Sequence, residues 1–151
     1  MGSELCNISF EQEHESWCGP ACLAWAILRL NGEATQEQIA QLAHTTAEMG
    51  TSHADMLAAA MMMDYEVRAR SGENLRHLNR LRLMGYEVIV NWMAGDNPQE
   101  DGHYSLFEGI GLKGVILNDP QAGGGIIQIP IEEFEAKWWD IDEQGERIDK
   151  W

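Results

Sequence analysis

The feature that most constrains the fold is an apolar run that follows a cysteine. The run is CLAWAIL, residues 22–28, and a helix that is apolar on every side is a buried helix. Pro20 fits the first helical turn, where its missing N–H is not needed, and Asn31 with the next glycine is a good stop signal. The sequence therefore predicts a central buried helix from Gly19 to Leu30.

Cys18 stands at the N-terminus of this predicted helix and is the candidate nucleophile. The free backbone N–H groups and the helix dipole there favour a thiolate over a thiol. Gly19 allows other groups to approach the backbone beside the sulfur. Most cysteines are small, inert hydrophobes, and that interpretation fits Cys22. The position of Cys18 instead favours a reactive thiol.

Two residues far along the chain are candidate partners of this thiol. His103 opens an apolar strand at 104–107, and Asp119 closes the strand at 115–118. Residue 111, midway between them, is a glycine, so a hairpin that turns there would bring His103 and Asp119 roughly opposite each other. That is the arrangement an imidazole base and its orienting carboxylate need.

Gln12 lies six residues before Cys18. Its side-chain amide would join the Cys18 backbone N–H to form an oxyanion hole. The alternative is an ordinary surface glutamine, because its neighbours are glutamates.

These residues together resemble the double-glycine (bacteriocin-leader) peptidases, a family of papain-like cysteine peptidases. The resemblance covers residues 10–140 and rests on Gln12, SWCGPA (16–21), GTS (50–52), GHY (102–104), NDP (118–120) and EFEAKW (133–138). It implies that Cys18 is the nucleophile, His103 the base, Asp119 the orienting residue and Gln12 the oxyanion donor. It also implies cleavage after small residues, such as Gly-Gly in a leader peptide, and association with a transporter or secretion system.

The order of elements predicts an α+β fold in one domain, residues 1–151. Helices come first, an antiparallel sheet follows, and the site lies between the two lobes, as in a compact papain-like enzyme. The predicted helices are 19–30, one from Thr35, 52–63, 75–84 and 130–138, and the predicted strands are 65–70, 86–92 and three beginning at 103, 115 and 126. Residues 140–151 form an acidic tail that we expect to be loosely held.

Net charge and the length of the apolar stretches limit the kinds of partner that the chain can have. The 151 residues carry a net charge of −15, which argues against nucleic acid or an anionic membrane as the main partner. The charge favours a neutral or basic peptide substrate, and the alternative is that it serves solubility alone. The longest apolar stretches, 22–28 and 57–63, are too short to span a bilayer. No secretory signal is visible, so we expect a cytoplasmic protein.

The chemistry predicted for the site needs no cofactor. A zinc site from Cys6, His14, Cys18 and Cys22 lacks paired short spacings, and the last two cysteines share one helix. The odd number of cysteines also argues against a disulfide framework.

Several alternatives stay open at this point. The same triad would serve an acyl transferase, and an inert triad would leave a peptide-binding module. His53 is a rival base and Asn118 a rival orienting residue. The methionine-rich segment 56–63 is core filler or a flexible wall of a peptide groove, and the arginines of 68–82 form a solvated basic face.

Overall fold

The computed structural model describes residues 10–97, 101–121, 123 and 125–151; Cys6 of the rejected zinc set lies outside them. The helices are α1 (Cys18–Arg29), α2 (Gln36–Leu42), α3 (His53–Met62), α4 (Leu75–Leu83) and α5 (Ile131–Lys137). The strands are β1 (Ile89–Met93), β2 (Gly102–Gly111), β3 (Gly114–Asp119), β4 (Gly125–Ile129), β5 (Trp139–Ile141) and β6 (Arg147–Asp149). No helix within the described ranges is long and apolar enough to cross a membrane.

Local signals in the sequence set the starts of the helices that surround the site. The Oγ of Ser52 accepts a hydrogen bond from the backbone N–H of Asp55 and so caps α3. Thr35 and Gln38 form a reciprocal capping box at the start of α2. The central helix α1 is buried along most of its length, as its apolar composition predicts.

Strands β1 to β4 form one antiparallel sheet in that order, and β5 pairs with β6 in a separate hairpin. The sheet separates two apolar cores. One core joins α1, α2 and α3 to the face of β2 that carries Tyr104 and Leu106. The other joins α4 and α5 to the opposite face, which carries Val90 and Phe107. The α+β expectation of helices packed on an antiparallel sheet is confirmed.

The turn between β2 and β3 differs from the expected turn at Gly111. Gly111 pairs with Gly114, so the turn is made by Leu112 and Lys113. A register shift between Phe107 and Gly109 adds one residue to β2, as a β-bulge does. His103 and Asp119 are therefore offset rather than directly opposite.

The predicted strand at 65–70 is wrong, because these residues have no regular structure. Alternation of apolar and polar residues makes a strand only where another strand offers its backbone groups. The free edge of β1 is taken instead by the C-terminal segment, since Asn91 N–H donates to the carbonyl of Trp151 at 3.0 Å.

The expectation of a loosely held tail is also wrong. Residues 139–149 contain the β5–β6 hairpin. The carbonyl of Trp151 also accepts a 2.9 Å hydrogen bond from the Trp138 indole, and the Trp151 ring stacks on His53 at 4.2 Å. Aromatic and branched apolar residues interrupt the acidic composition, and they dock the segment on the domain.

The basic face is solvated only in part. Arg68 is exposed and pairs with its neighbour Glu66. Arg82 is largely buried and forms ion pairs with Glu87 and Glu108. Burial of these charges is compatible with folding because each has an opposite charge beside it.

Candidate active site

Cys18 is the first residue of α1 and is half-buried. No side chain caps this helix, because the N-cap residue is Trp17. Gly19 is required for the close packing beside the sulfur, since a Cβ there would lie 2.9 Å from the Sδ of Met56 and 3.3 Å from the ring of Tyr104. The N-terminus of α1 therefore presents the thiol from a tightly packed helix start.

His103, near the start of β2, binds the carboxylate that ends β3. Its Nε2 lies 2.7 Å from Oδ1 of Asp119, and both side chains are buried. The same Oδ1 accepts a 2.8 Å hydrogen bond from the backbone N–H of Gln121. Cys18 is near enough to His103 to raise the pKa of its imidazole. The structure thus brings Cys18, His103 and Asp119 together in that order.

The electrostatics of His103 favour its charged form. Burial lowers the pKa, but hydrogen bonds to Asp119 and Cys18, with the negative charges of both, raise the pKa of His103 to about 10. A histidine that stays protonated beside a sulfur stabilises a thiolate. His103 therefore lies beside the Cys18 sulfur in its charged form, which can donate a proton.

Gln12 lies beside the triad but does not direct its amide at the sulfur. Its backbone N–H donates to the carbonyl of Pro120 at 2.7 Å, next to Asp119. Its Nε2 donates to the carbonyls of His14 and Glu15, at 3.0 and 2.6 Å. Its Oε1 is buried and has no hydrogen-bond partner among the described residues. Both amide hydrogens are thus engaged within the loop that leads to α1.

The rival base His53 belongs to a separate cluster. Its Nε2 lies 3.9 Å from the carboxylate of Asp140, and its ring packs between Trp151 and Tyr104. Burial raises the pKa of Asp140, although its hydrogen bonds and the nearby His53 act to lower it. Among the described residues, no hydrogen bond or ion pair joins His53 to Cys18.

The methionine-rich segment is divided between core and surface. Met56 is buried under Gly19, whereas Met61 and Met62 are exposed. Met56 is therefore core filler.

Gln36 is a polar residue near the site that the sequence does not predict. Its side chain is buried and forms hydrogen bonds to the backbone on both sides of Gln12. No pattern in the sequence distinguishes it from the other glutamines of α2, because burial of an amide at the first position of a helix depends on what packs there.

No three histidine, cysteine or acidic side chains lie close enough to hold a metal ion in the described part of the chain. The site described above is built from a thiol, an imidazole and a carboxylate alone.

Comparison with known proteins identifies the family and the fold. The sequence matches the model of the Peptidase C39 family over residues 8–141. No curated protein matches the sequence. Among solved structures, the peptidase domain of Streptococcus ComA, a bifunctional ABC transporter involved in a quorum-sensing pathway, is 22% identical with a TM-score of 0.72, over 91% of this chain and 93% of that one.

Two further solved structures share the fold. A double glycine motif protease from an AMS/PCAT transporter, in complex with the leader peptide, is 22% identical with a TM-score of 0.62, over 92% of this chain and 89% of that one. The peptidase domain of Streptococcus mutans ComA is 22% identical with a TM-score of 0.62, over 85% of this chain and 89% of that one. The family model covers most of the chain, and so the chain belongs to the Peptidase C39 family and is a cysteine peptidase.

Proposed function

We propose that this cysteine peptidase cleaves peptide bonds through a triad of Cys18, His103 and Asp119. The observation that carries the proposal is the buried 2.7 Å hydrogen bond between His103 and Asp119, with Cys18 near enough to His103 to raise the pKa of its imidazole. A nucleophile, a base and a group that orients the base are the three parts that covalent acyl transfer requires.

The reaction begins when the Cys18 thiolate attacks the peptide carbonyl carbon. The new C–S bond moves the carbonyl electron pair onto oxygen, and the backbone N–H of Cys18 at the start of α1 stabilises that oxyanion. Protonated His103 then gives its proton to the leaving amine as the C–N bond breaks. Water, deprotonated by His103, adds to the thioester, and the C–S bond breaks to release the carboxylate.

Asp119 orients the imidazole and stabilises its positive charge. The bond from Nε2 to Oδ1 of Asp119 leaves Nδ1 as the ring nitrogen that would exchange a proton with Cys18 and with the leaving amine.

We assign Gln12 the second oxyanion donor. This role requires its Nε2 to exchange one of its two bonds, to His14 or to Glu15, for the oxyanion. The bonds hold the amide in the loop that enters α1.

The substrate class we propose is a leader peptide cut after small residues. Two of the similar structures are named as peptidase domains of ComA and one as a double glycine motif protease with a leader peptide. Such a peptidase would act together with a transporter that exports the processed peptide.

Cleavage of a synthetic leader peptide that contains Gly-Gly tests the proposal. In ¹⁸O-labelled water, mass spectrometry should find one ¹⁸O atom in the new carboxyl group, because water resolves the thioester. Cys18→Ala should abolish cleavage and Cys22→Ala, at a fully buried position, should retain it.

Two other outcomes would replace the proposal. Capture of the acyl group by an added amine in preference to water would indicate an acyl transferase. Tight peptide binding without cleavage by the wild-type protein would indicate a binding module.

A further inference from the structure

Gln36, the first residue of α2, holds the backbone on both sides of Gln12. Its Nε2 donates to the carbonyl of Glu11 at 3.0 Å, and its Oε1 accepts from the N–H of Glu13 at 3.0 Å. One side-chain amide thus satisfies a donor and an acceptor of the same short segment, as a neighbouring strand would.

Gln36 is itself held firmly. The capping box of Thr35 and Gln38 fixes the backbone at the start of α2, where Gln36 is the first helical residue. One turn later Ile39 is fully buried in the helical core. Gln36 therefore offers its amide from a fixed position with its side chain 9% exposed.

The segment that Gln36 holds runs from Phe10 to Trp17. Phe10 stacks on Trp25 at 5.3 Å and anchors its start, and the ring of His14 contacts that of Trp17 at 4.1 Å near its end. The acidic residues between them are exposed: Glu11, Glu13 and Glu15. No apolar side chain lies between Phe10 and Trp17, so hydrogen bonds to the backbone contribute to the path of the chain past Gln12.

Gln12 is consequently held from two sides. Gln36 bonds to its two neighbours, and Pro120, which directly follows the triad residue Asp119, accepts the N–H of Gln12 itself at 2.7 Å. The first contact ties the loop to the helical lobe, and the second ties it to the sheet lobe.

We infer that Gln36 is a positioning residue for Gln12 in the peptidase reaction. The inference rests on the function proposed above. Small errors in the placement of a transition-state donor cost large factors in rate, and Gln36 prevents such errors by fixing the backbone on which Gln12 is carried. Gln36 acts through Gln12 and does not touch the substrate.

The test compares Gln36→Met with Gln41→Met, a matched change at an exposed position of the same helix. Gln36→Met should lower kcat by about tenfold or more, as loss of a well-placed donor does. The affinity for a Gly-Gly leader peptide, measured in a Cys18→Ala background, and the rate of Cys18 alkylation by iodoacetamide should not change, because neither depends on the oxyanion. Gln41→Met should match the wild type.

A double-mutant cycle separates positioning from general support of the fold. In a Gln12→Ala background, Gln36→Met should cause no further loss of acylation rate. An equal loss in both backgrounds, or an alkylation rate that falls with kcat, would overturn the inference. Gln36→Glu provides a second variant if Gln36→Met fails to fold, because it keeps the acceptor for Glu13 and loses only the donor to Glu11.

Failure of this inference and failure of the proposed function give different results. If Cys18→Ala still cleaves the peptide, the proposed function is wrong. If Cys18→Ala is inactive while Gln36→Met matches Gln41→Met, the peptidase function stands and only the role of Gln36 is rejected.

Discussion

The imidazole of His103 reaches the carboxylate of Asp119 diagonally across β2 and β3. Leu106 pairs with Asn118, so the next step along the strands places Asp119 beside Ser105, with His103 two residues farther on the same face. Diagonal neighbours on one face lie about 7–8 Å apart. The length of the imidazole closes that gap, and Nε2 meets Oδ1 at 2.7 Å.

The first prediction concerns the charge of Asp119. Both hydrogen bonds to this side chain, from His103 and Gln121, end on Oδ1, an atom that Asp119→Asn retains. We therefore expect Asp119→Asn to fold normally and to lose about a hundredfold or more in kcat, because only the negative charge is removed.

Asp119→Ala should be worse, because His103 then loses its orienting partner as well as the charge. Steady-state kinetics on a Gly-Gly leader peptide would measure both variants. Wild-type rates in both would exclude Asp119 from the triad and leave Asn118 as the candidate.

The sequence was sufficient to find this pair but not its register. The order and spacing of His103, Asp119 and the intervening glycine indicate a hairpin. The bulge at Glu108 and the turn at Leu112 shift that hairpin, and such shifts depend on packing that no local pattern records. By contrast, the buried helix α1 was predictable, because the residues that indicate it lie in one contiguous stretch of the sequence.

The C-terminal segment shows the limit of compositional reasoning. Its acidic residues predict a solvated tail, yet the position of Trp151 is decided by His53, Trp138 and Asn91, which come from three distant parts of the chain. Contacts between residues so far apart in the sequence depend on the tertiary fold.

The second prediction concerns pH and stability. Despite burial, which lowers it, the pKa of His103 is raised from 6.5 to about 10 by Asp119 and Cys18. A raised pKa means that protonation favours the folded state, so this contribution is complete below pH 6.5 and is lost as the pH rises to about 10. The wild type should therefore lose thermal stability relative to His103→Gln across that range. If the melting temperatures of the two proteins changed equally with pH over that range, the assignment of His103 would be contradicted.

The third prediction concerns the two described cysteines. Cys22 is fully buried, and burial, with the negative charges of Cys18 and Asp119, raises the pKa of its thiol well above the usual range. Cys18 is half-exposed beside protonated His103. Iodoacetamide near pH 6 should therefore label Cys18 much faster than Cys22, as peptide mapping by mass spectrometry would show. Equal labelling would argue against an activated Cys18.

The fourth prediction concerns the C-terminal anchor. Trp151→Ala should lower the free energy of unfolding by about 2 kcal/mol, less than a fully buried tryptophan, because the ring is half-buried on His53. Urea denaturation would measure the loss. Leu112→Ala, at the fully exposed turn, is the control and should change stability by less than about 0.5 kcal/mol. A similar small change in Trp151→Ala would mean that the ring does not anchor the segment.

The fifth prediction decides what Gln12 does. An amide that binds the oxyanion contributes mainly in the transition state, so Gln12→Ala should lower the acylation rate about a hundredfold while peptide affinity, measured in a Cys18→Ala background, stays unchanged. The bonds from Gln12 to His14 and Glu15 support a second possibility, a brace for the loop before α1. A brace would give a different result, because loss of loop geometry would slow iodoacetamide alkylation of Cys18 as well. Reduced acylation with normal alkylation therefore identifies an oxyanion donor, and reduced rates of both reactions identify a brace.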